Sequence, residues 1–287
     1  MRRSSFKPGS HLAINATRHP KRWPPTKCIF CGSADELTEE HLYSRWTRRF
    51  VPRDMRQFRR LASTSFFDKS DFSITRKPGD IRDWSVSCVC TACNNGWMRR
   101  LENRARPIMI PLIMGGRIRL LPQQQKTLAG WAAMKAMVAE YSDIEYVTTH
   151  HMHRKYLYRT QLPPTKGWAI WIAHYQRKSW LPIWLSRPFL IDDRAARRSD
   201  NRATHFNSHA TTQIIGQLLI HVIRSPMHRL VGKWQFALPQ GHAIFRIWPP
   251  SDFSIPWPSG TINDRSAEYI ADALKEFLMR VAATERR

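Results

Sequence analysis

The chain has 287 residues and a formal net charge of +24, with 46 lysines and arginines against 22 acids. That length allows one large core, or a small domain beside a larger one. The most apolar run, 214–223, is too short to span a bilayer, and the first residues lack the apolar stretch of a secretory signal, so the sequence reads as cytoplasmic with no membrane partner.

The charge is clustered. Residues 1–27 carry Arg2, Arg3, Lys7, Arg18, Lys21, Arg22 and Lys27 and no acid, and residues 41–60 carry seven arginines against Asp54. Such runs suit a polyanion, whose condensed counterions are released on binding. An acid-free, arginine-rich start also has the composition of an organellar transit peptide, which stands as the alternative reading of that segment. Residues 1–27 are expected to be a flexible basic arm ending at Pro24 and Pro25, and residues 28–106 a cysteine-bounded unit. Inside that unit, 72–87 reads as two short strands around Lys77-Pro78-Gly79-Asp80, and a helix is expected from Cys93 onward, with Trp97 and Leu101 four apart on one face.

Residues 107–287 read as a second, α+β domain. A helix is expected over 123–141, where Leu128, Trp131, Met134, Val138 and Tyr141 recur at helical spacing and Pro122 suits the first turn. Strand-like runs follow at 155–162, 167–176, 181–191, 233–239 and 243–249. The run 211–224 reads as a buried helix, with a strand as the alternative. An amphipathic helix over 264–284 closes the chain, with Asp264 as its cap and Ile270, Leu274, Leu278 and Val281 inward. The tryptophans at 168, 171, 180 and 184 alternate with aliphatic residues and are expected in the core. His150, His151 and His153 lack an acidic or cysteine partner nearby and read as an exposed polar strand or loop. The proline-rich stretch 247–260 reads as a loop with exposed aromatics.

The cysteines carry the strongest signal. Cys28 and Cys31 form one C-x-x-C pair, Cys90 and Cys93 another, with Gly32 placed for a knuckle turn. Two such pairs supply the tetrahedral thiolate set that zinc prefers, and a site closed by four cysteines is structural. Cys88 is left over as a small buried residue.

Beside the pairs stand Glu40-His41, in "LTEEHLYSRW", and Asn94, in "CTACNNGW". At these residues, over about 28–103, the sequence resembles the HNH endonuclease family, in its zinc-knuckle branch with two C-x-x-C pairs. The resemblance implies a zinc-stapled, treble-clef-like ββα-metal module followed by an α+β domain with antiparallel strands and amphipathic helices. It implies His41 as general base, and Glu40 and Asn94 as ligands of a catalytic Mg²⁺ or Mn²⁺, around a scissile phosphate. For Asn94, helix capping is the equal alternative. The sequence departs from the family in four places. Glu40 stands where aspartate is common, and Tyr43-Ser44 where proline is often found. The stretch from His41 to Cys90 is long. The middle asparagine has no clear counterpart, with Ser85 and Asp83 nearest in position. Arg45, Arg48, Arg49, Arg99 and Arg100 are the candidate phosphate contacts.

The expected function is phosphodiester hydrolysis, in DNA ahead of RNA, by a protein of bacterial or phage origin. The second domain is expected to select substrate, form a homodimer or sense a signal, as in phage defence. The rivals are a non-catalytic zinc protein that binds nucleic acid, and an interaction protein with a basic surface.

Overall fold

The structure, a computed structural model, describes residues 25–51, 58–63, 72–77, 80–142, 147–176, 184–189 and 207–284. The basic arm up to residue 24 and Trp180 lie outside the described residues. The fold is α+β, and every pairing between its strands is antiparallel.

Strand β1 (Leu37–His41) runs into a 3-10 turn over Arg45–Phe50. Strands β2 (Phe58–Ser63) and β3 (Phe72–Lys77) pair with each other, and β4 (Ser85–Cys90) pairs back onto β1. The expected two strands around residues 77–80 are therefore present, but they belong to two different pairs. After β4 the chain turns directly into helix: α1 (Thr91–Cys93), a π-type turn over Asn94–Met98 with a kink at Gly96, and α2 (Arg99–Ile113). Trp97 and Leu101 are both buried, as their spacing requires. Helix α2 runs on through Pro107 and Pro111, across the expected boundary at 106/107.

Strand β5 (Ile118–Leu120) leads to α3 (Pro122–Ala139), which has Pro122 in its first turn. From Leu128 to Ala139 every residue of α3 is buried. A helix apolar on all sides belongs inside a fold. One side packs on α2, around Leu101, Ala105, Met109 and Leu112, and another on the main sheet. Helix α4 (His151–Thr160) follows.

The main sheet has the order β10-β6-β9-β8-β7, from β6 (Trp168–His174), β7 (Trp184–Phe189), β8 (Ser208–Ile215), β9 (Leu218–Arg224) and, after helix α5 (His228–Lys233), β10 (Phe245–Trp248). Strand β11 (Ile255–Trp257) pairs with β5, and α6 (Asp264–Thr284) ends the described chain. Trp168, Ile170 and Ile172 on β6 join the core with α3, while Ala169, Trp171 and Ala173 join clusters containing α6 residues Ile270, Leu274 and Leu278. The two faces of the sheet thus each meet a helix.

That double burial corrects one expectation. Residues 211–224 form the β8–β9 hairpin, not a helix. A strand covered on both faces loses the alternation that marks a half-exposed one. The hairpin turns at Gly216, whose φ of 57° favours glycine, and a Cβ there would stand 2.5 Å from the Ile113 carbonyl. Other expectations also fail. Residues 155–162 belong largely to helix α4, where Arg154 and Leu157, three apart, face inward and His150 caps the first turn by accepting from the Met152 N–H at 3.3 Å. The His150–His153 group is therefore a helix start, with His153 accepting from the Trp168 indole at 3.0 Å. Residues 233–239 form no strand. The stretch 247–260 includes β11 and buries Trp257, although Phe253 is exposed. At α6 the capping side chain is Asn263, accepting from Ser266 N–H at 3.1 Å, while Asp264 accepts from the Tyr175 hydroxyl.

Candidate active site

The four cysteines expected as one set converge. The Sγ atoms of Cys28, Cys31, Cys90 and Cys93 all lie within 4.8 Å of one another, a group able to hold a metal ion, and Cys31 and Cys90 are 3.6 Å apart. A tetrahedral zinc with sulfurs at about 2.3 Å needs them roughly 3.8 Å apart. All five cysteines are free thiols. The first pair is shaped by a tight loop, in which Gly32 N–H donates to Cys28 O at 2.9 Å and Gly32 takes a φ of 79°. The second pair straddles the junction of β4 and α1. A hydrogen bond from Cys93 draws the Cys28 thiol down to about 4, and the same contact pushes Cys93 up. Four thiols at this spacing repel once ionised, so a cation is the natural way to hold them together.

Cys88 stands apart from the group. The β1–β4 register skips it, matching Thr38 to Val89 and Glu39 to Ser87, so Cys88 is the extra residue of a bulge. Its thiol is buried, which raises its pKa.

Where β1 ends, a polar cleft of about 460 Å³ opens between β1, the 3-10 turn, the Asn94–Arg106 helical stretch and α3. Glu40, His41 and Asn94, the three residues implied by the resemblance, all line it. His41 is the last residue of β1 and faces Ser85 in register. Burial, then the cations of Arg45 and Arg48, hold its pKa below the ordinary histidine value, so the ring is neutral at pH 7. Asn94 does not cap the helix, which begins three residues earlier. Its side chain reaches across to β1 instead, its amide N–H groups donating to Thr38 Oγ1 at 3.0 Å and Glu39 O at 3.2 Å. The amide oxygen is the end left for a ligand.

Of the five expected phosphate contacts, Arg45 and Arg99 line the cleft. Arg48 instead pairs with Asp83 at 2.5 Å, and Arg49 lies over the Phe50 ring. Arg100 is exposed outside the cleft lining. Asp83 is tied to Arg48, and Ser85 lies directly across the strands from His41.

Three cleft residues escaped the sequence reading. Arg106 lines the wall two helical turns past Arg99 and lies over Trp46. Glu102 accepts a hydrogen bond from the Ser44 hydroxyl. Burial raises its pKa, but Lys135 and Ser44 more than offset that and the net shift is downward. Lys135, from the middle of α3, is 1% exposed. Its ammonium pairs with Glu40, donates to the His41 carbonyl at 2.8 Å and stands 3.4 Å from Glu102. A signal for it exists: Lys135 is the only charge between Thr127 and Glu140, and a charge inside an apolar helix must find a partner.

A hard divalent cation takes oxygen ligands, and the carboxylates of Glu40 and Glu102 and the amide oxygen of Asn94 are donors of that kind, with one oxygen of Glu40 already engaged by Lys135 and with Arg45, Arg99 and Arg106 along the same wall. Among the described residues no helix is long and apolar enough to cross a membrane. Set against known proteins, the chain matches no family model, no curated protein and no solved structure.

Proposed function

We propose that the protein is a metal-dependent endonuclease of the HNH kind, cutting phosphodiester bonds in DNA ahead of RNA, with a structural zinc in the four-cysteine group. The observation that carries this reading is the meeting of His41, Glu40 and Asn94 in one arginine-walled cleft, on an antiparallel strand pair and helix whose ends are pinned by those cysteines. An antiparallel pair leading into a helix is the arrangement that the resemblance implies.

Each residue has a distinct task. Neutral His41 takes a proton from the attacking water. Glu40 and the Asn94 amide oxygen would hold a Mg²⁺ or Mn²⁺ ion. When bound, that ion supplies positive charge beside the leaving oxygen. Arg45, Arg99 and Arg106 hold the phosphate backbone, which positions the strand without reading its sequence.

The Lys135–Glu40 pair favours a second reading, a zinc-containing protein that binds nucleic acid without cutting it, because that pair occupies part of the acid. Incubating the purified protein with plasmid and linear DNA, with Mg²⁺ or Mn²⁺ and with a chelator, separates the two. Cation-dependent cleavage is expected, and salt-sensitive binding with no cleavage of any substrate would leave the second reading.

A further inference from the structure

Lys135 belongs to the part of the chain for which the sequence suggests no chemical role, yet its ammonium is buried in the cleft. Its aliphatic stem has about the bulk of a methionine, but its ammonium pairs with two carboxylates, and removing one partner of a buried ion pair is destabilising. The ammonium has three N–H groups and three acceptors facing it: Glu40, the His41 carbonyl and Glu102. Within this group alone, two carboxylates and one ammonium leave a single net negative charge, while Arg45, Arg99 and Arg106 stand along the cleft wall. Without the lysine the charge of the group would be double, which favours a divalent cation more strongly.

We propose that Lys135 is a positioning residue that sets the cation affinity of the cleft. It fixes Glu40 by one oxygen, leaves the other to the cleft, and keeps the divalent cation weakly held until a phosphate of the nucleic acid adds its own negative charge. Glu102 is its counterweight: it holds the ammonium in place and contributes the second negative charge. This inference rests on the reading of the cleft as a cation site.

The test is Mn²⁺ binding by isothermal titration calorimetry, on the zinc-loaded full chain and on Lys135→Met, Glu102→Gln and the double variant. Removing a unit charge beside a divalent cation changes affinity by about tenfold or more. Lys135→Met should therefore bind Mn²⁺ about tenfold more tightly. Glu102→Gln should bind it about tenfold more weakly, and the double variant, whose net charge equals that of the wild type, within about threefold of it. Simple damage to packing would weaken binding, whereas only the loss of a competing charge strengthens it. Lys135→Met binding no more tightly than wild type overturns the proposal. If Lys135→Met does not fold, Glu102→Gln and the double variant decide: equal affinities for these two overturn it. Failure of the wild type and every variant to bind Mn²⁺ overturns the cation-site reading itself, a different result from binding that ignores Lys135.

Discussion

The four-thiol group and the polar cleft share the β1–β4 unit, and they are assembled differently. Each half of the thiol group is local: Cys28 and Cys31 come from one loop, Cys90 and Cys93 from one strand–helix junction. The cleft draws on β1, the helical run after Cys93 and α3, and its central ion pair joins residues 95 apart in sequence. One centre shapes the backbone, and the other needs the backbone already shaped. Substitutions in the first should therefore be felt as lost structure, and substitutions in the second as lost chemistry.

The largest expected effect tests the first half of that contrast. Cys90→Ser, or a strong chelator, should release the metal, with a local cost on the order of 10 kcal/mol, the scale of metal-coupled folding. Hydrogen exchange should show loss of protection over 28–51 and 85–98 while β6, β8 and β9 stay protected. Uniform loss across the chain would mean that the two regions fold as one unit. Next comes His41→Ala, expected to lower cleavage about 10²–10⁴-fold, as removal of a general base does, with metal content and melting temperature unchanged. Wild-type rates from this variant would remove His41 from the mechanism.

Asn94 stands between the two centres, directly after Cys93 and bonded across to β1. Asn94→Ala should cost about 0.5–1.5 kcal/mol of stability through the hydrogen bonds lost, since water can reach the acceptors. Its cleavage should recover at higher Mn²⁺ if its oxygen serves the ion. Metal content of the thiol group should not move, and if it does, the centres are coupled through this side chain. The smallest effect is expected from the arginines. Arg45→Ala and Arg99→Ala should each weaken DNA binding and lower the salt slope by about one. Arg48→Ala should do less, because Arg48 is already paired with Asp83.

The same contrast explains what could be read from the sequence. The cysteine pairs, Glu40, His41 and Asn94 lie in short motifs, so spacing alone brings them to notice. Lys135 and Glu102 have no motif. Their partners are fixed only when α3 is packed against β1 and α2. In the fold, α3 and α6 were legible because their apolar residues recur at helical spacing. The β8–β9 hairpin was not, because burial against α3 on one face and α6 on the other erased its alternation. At 155–162 the aromatic Tyr156 and Tyr158 suggested a strand, yet both are exposed and Leu157 alone among the three turns inward.

The passage of α2 across residue 106 bears on portability. A fragment ending there would cut the helix midway, expose Leu101 and Ala105, and strip Glu40 of its lysine. The cysteine-bounded unit is therefore not a cassette that can be lifted out and fused to another protein. Any transplant that keeps its cleft must carry α3 with it, and with α3 the sheet that encloses it.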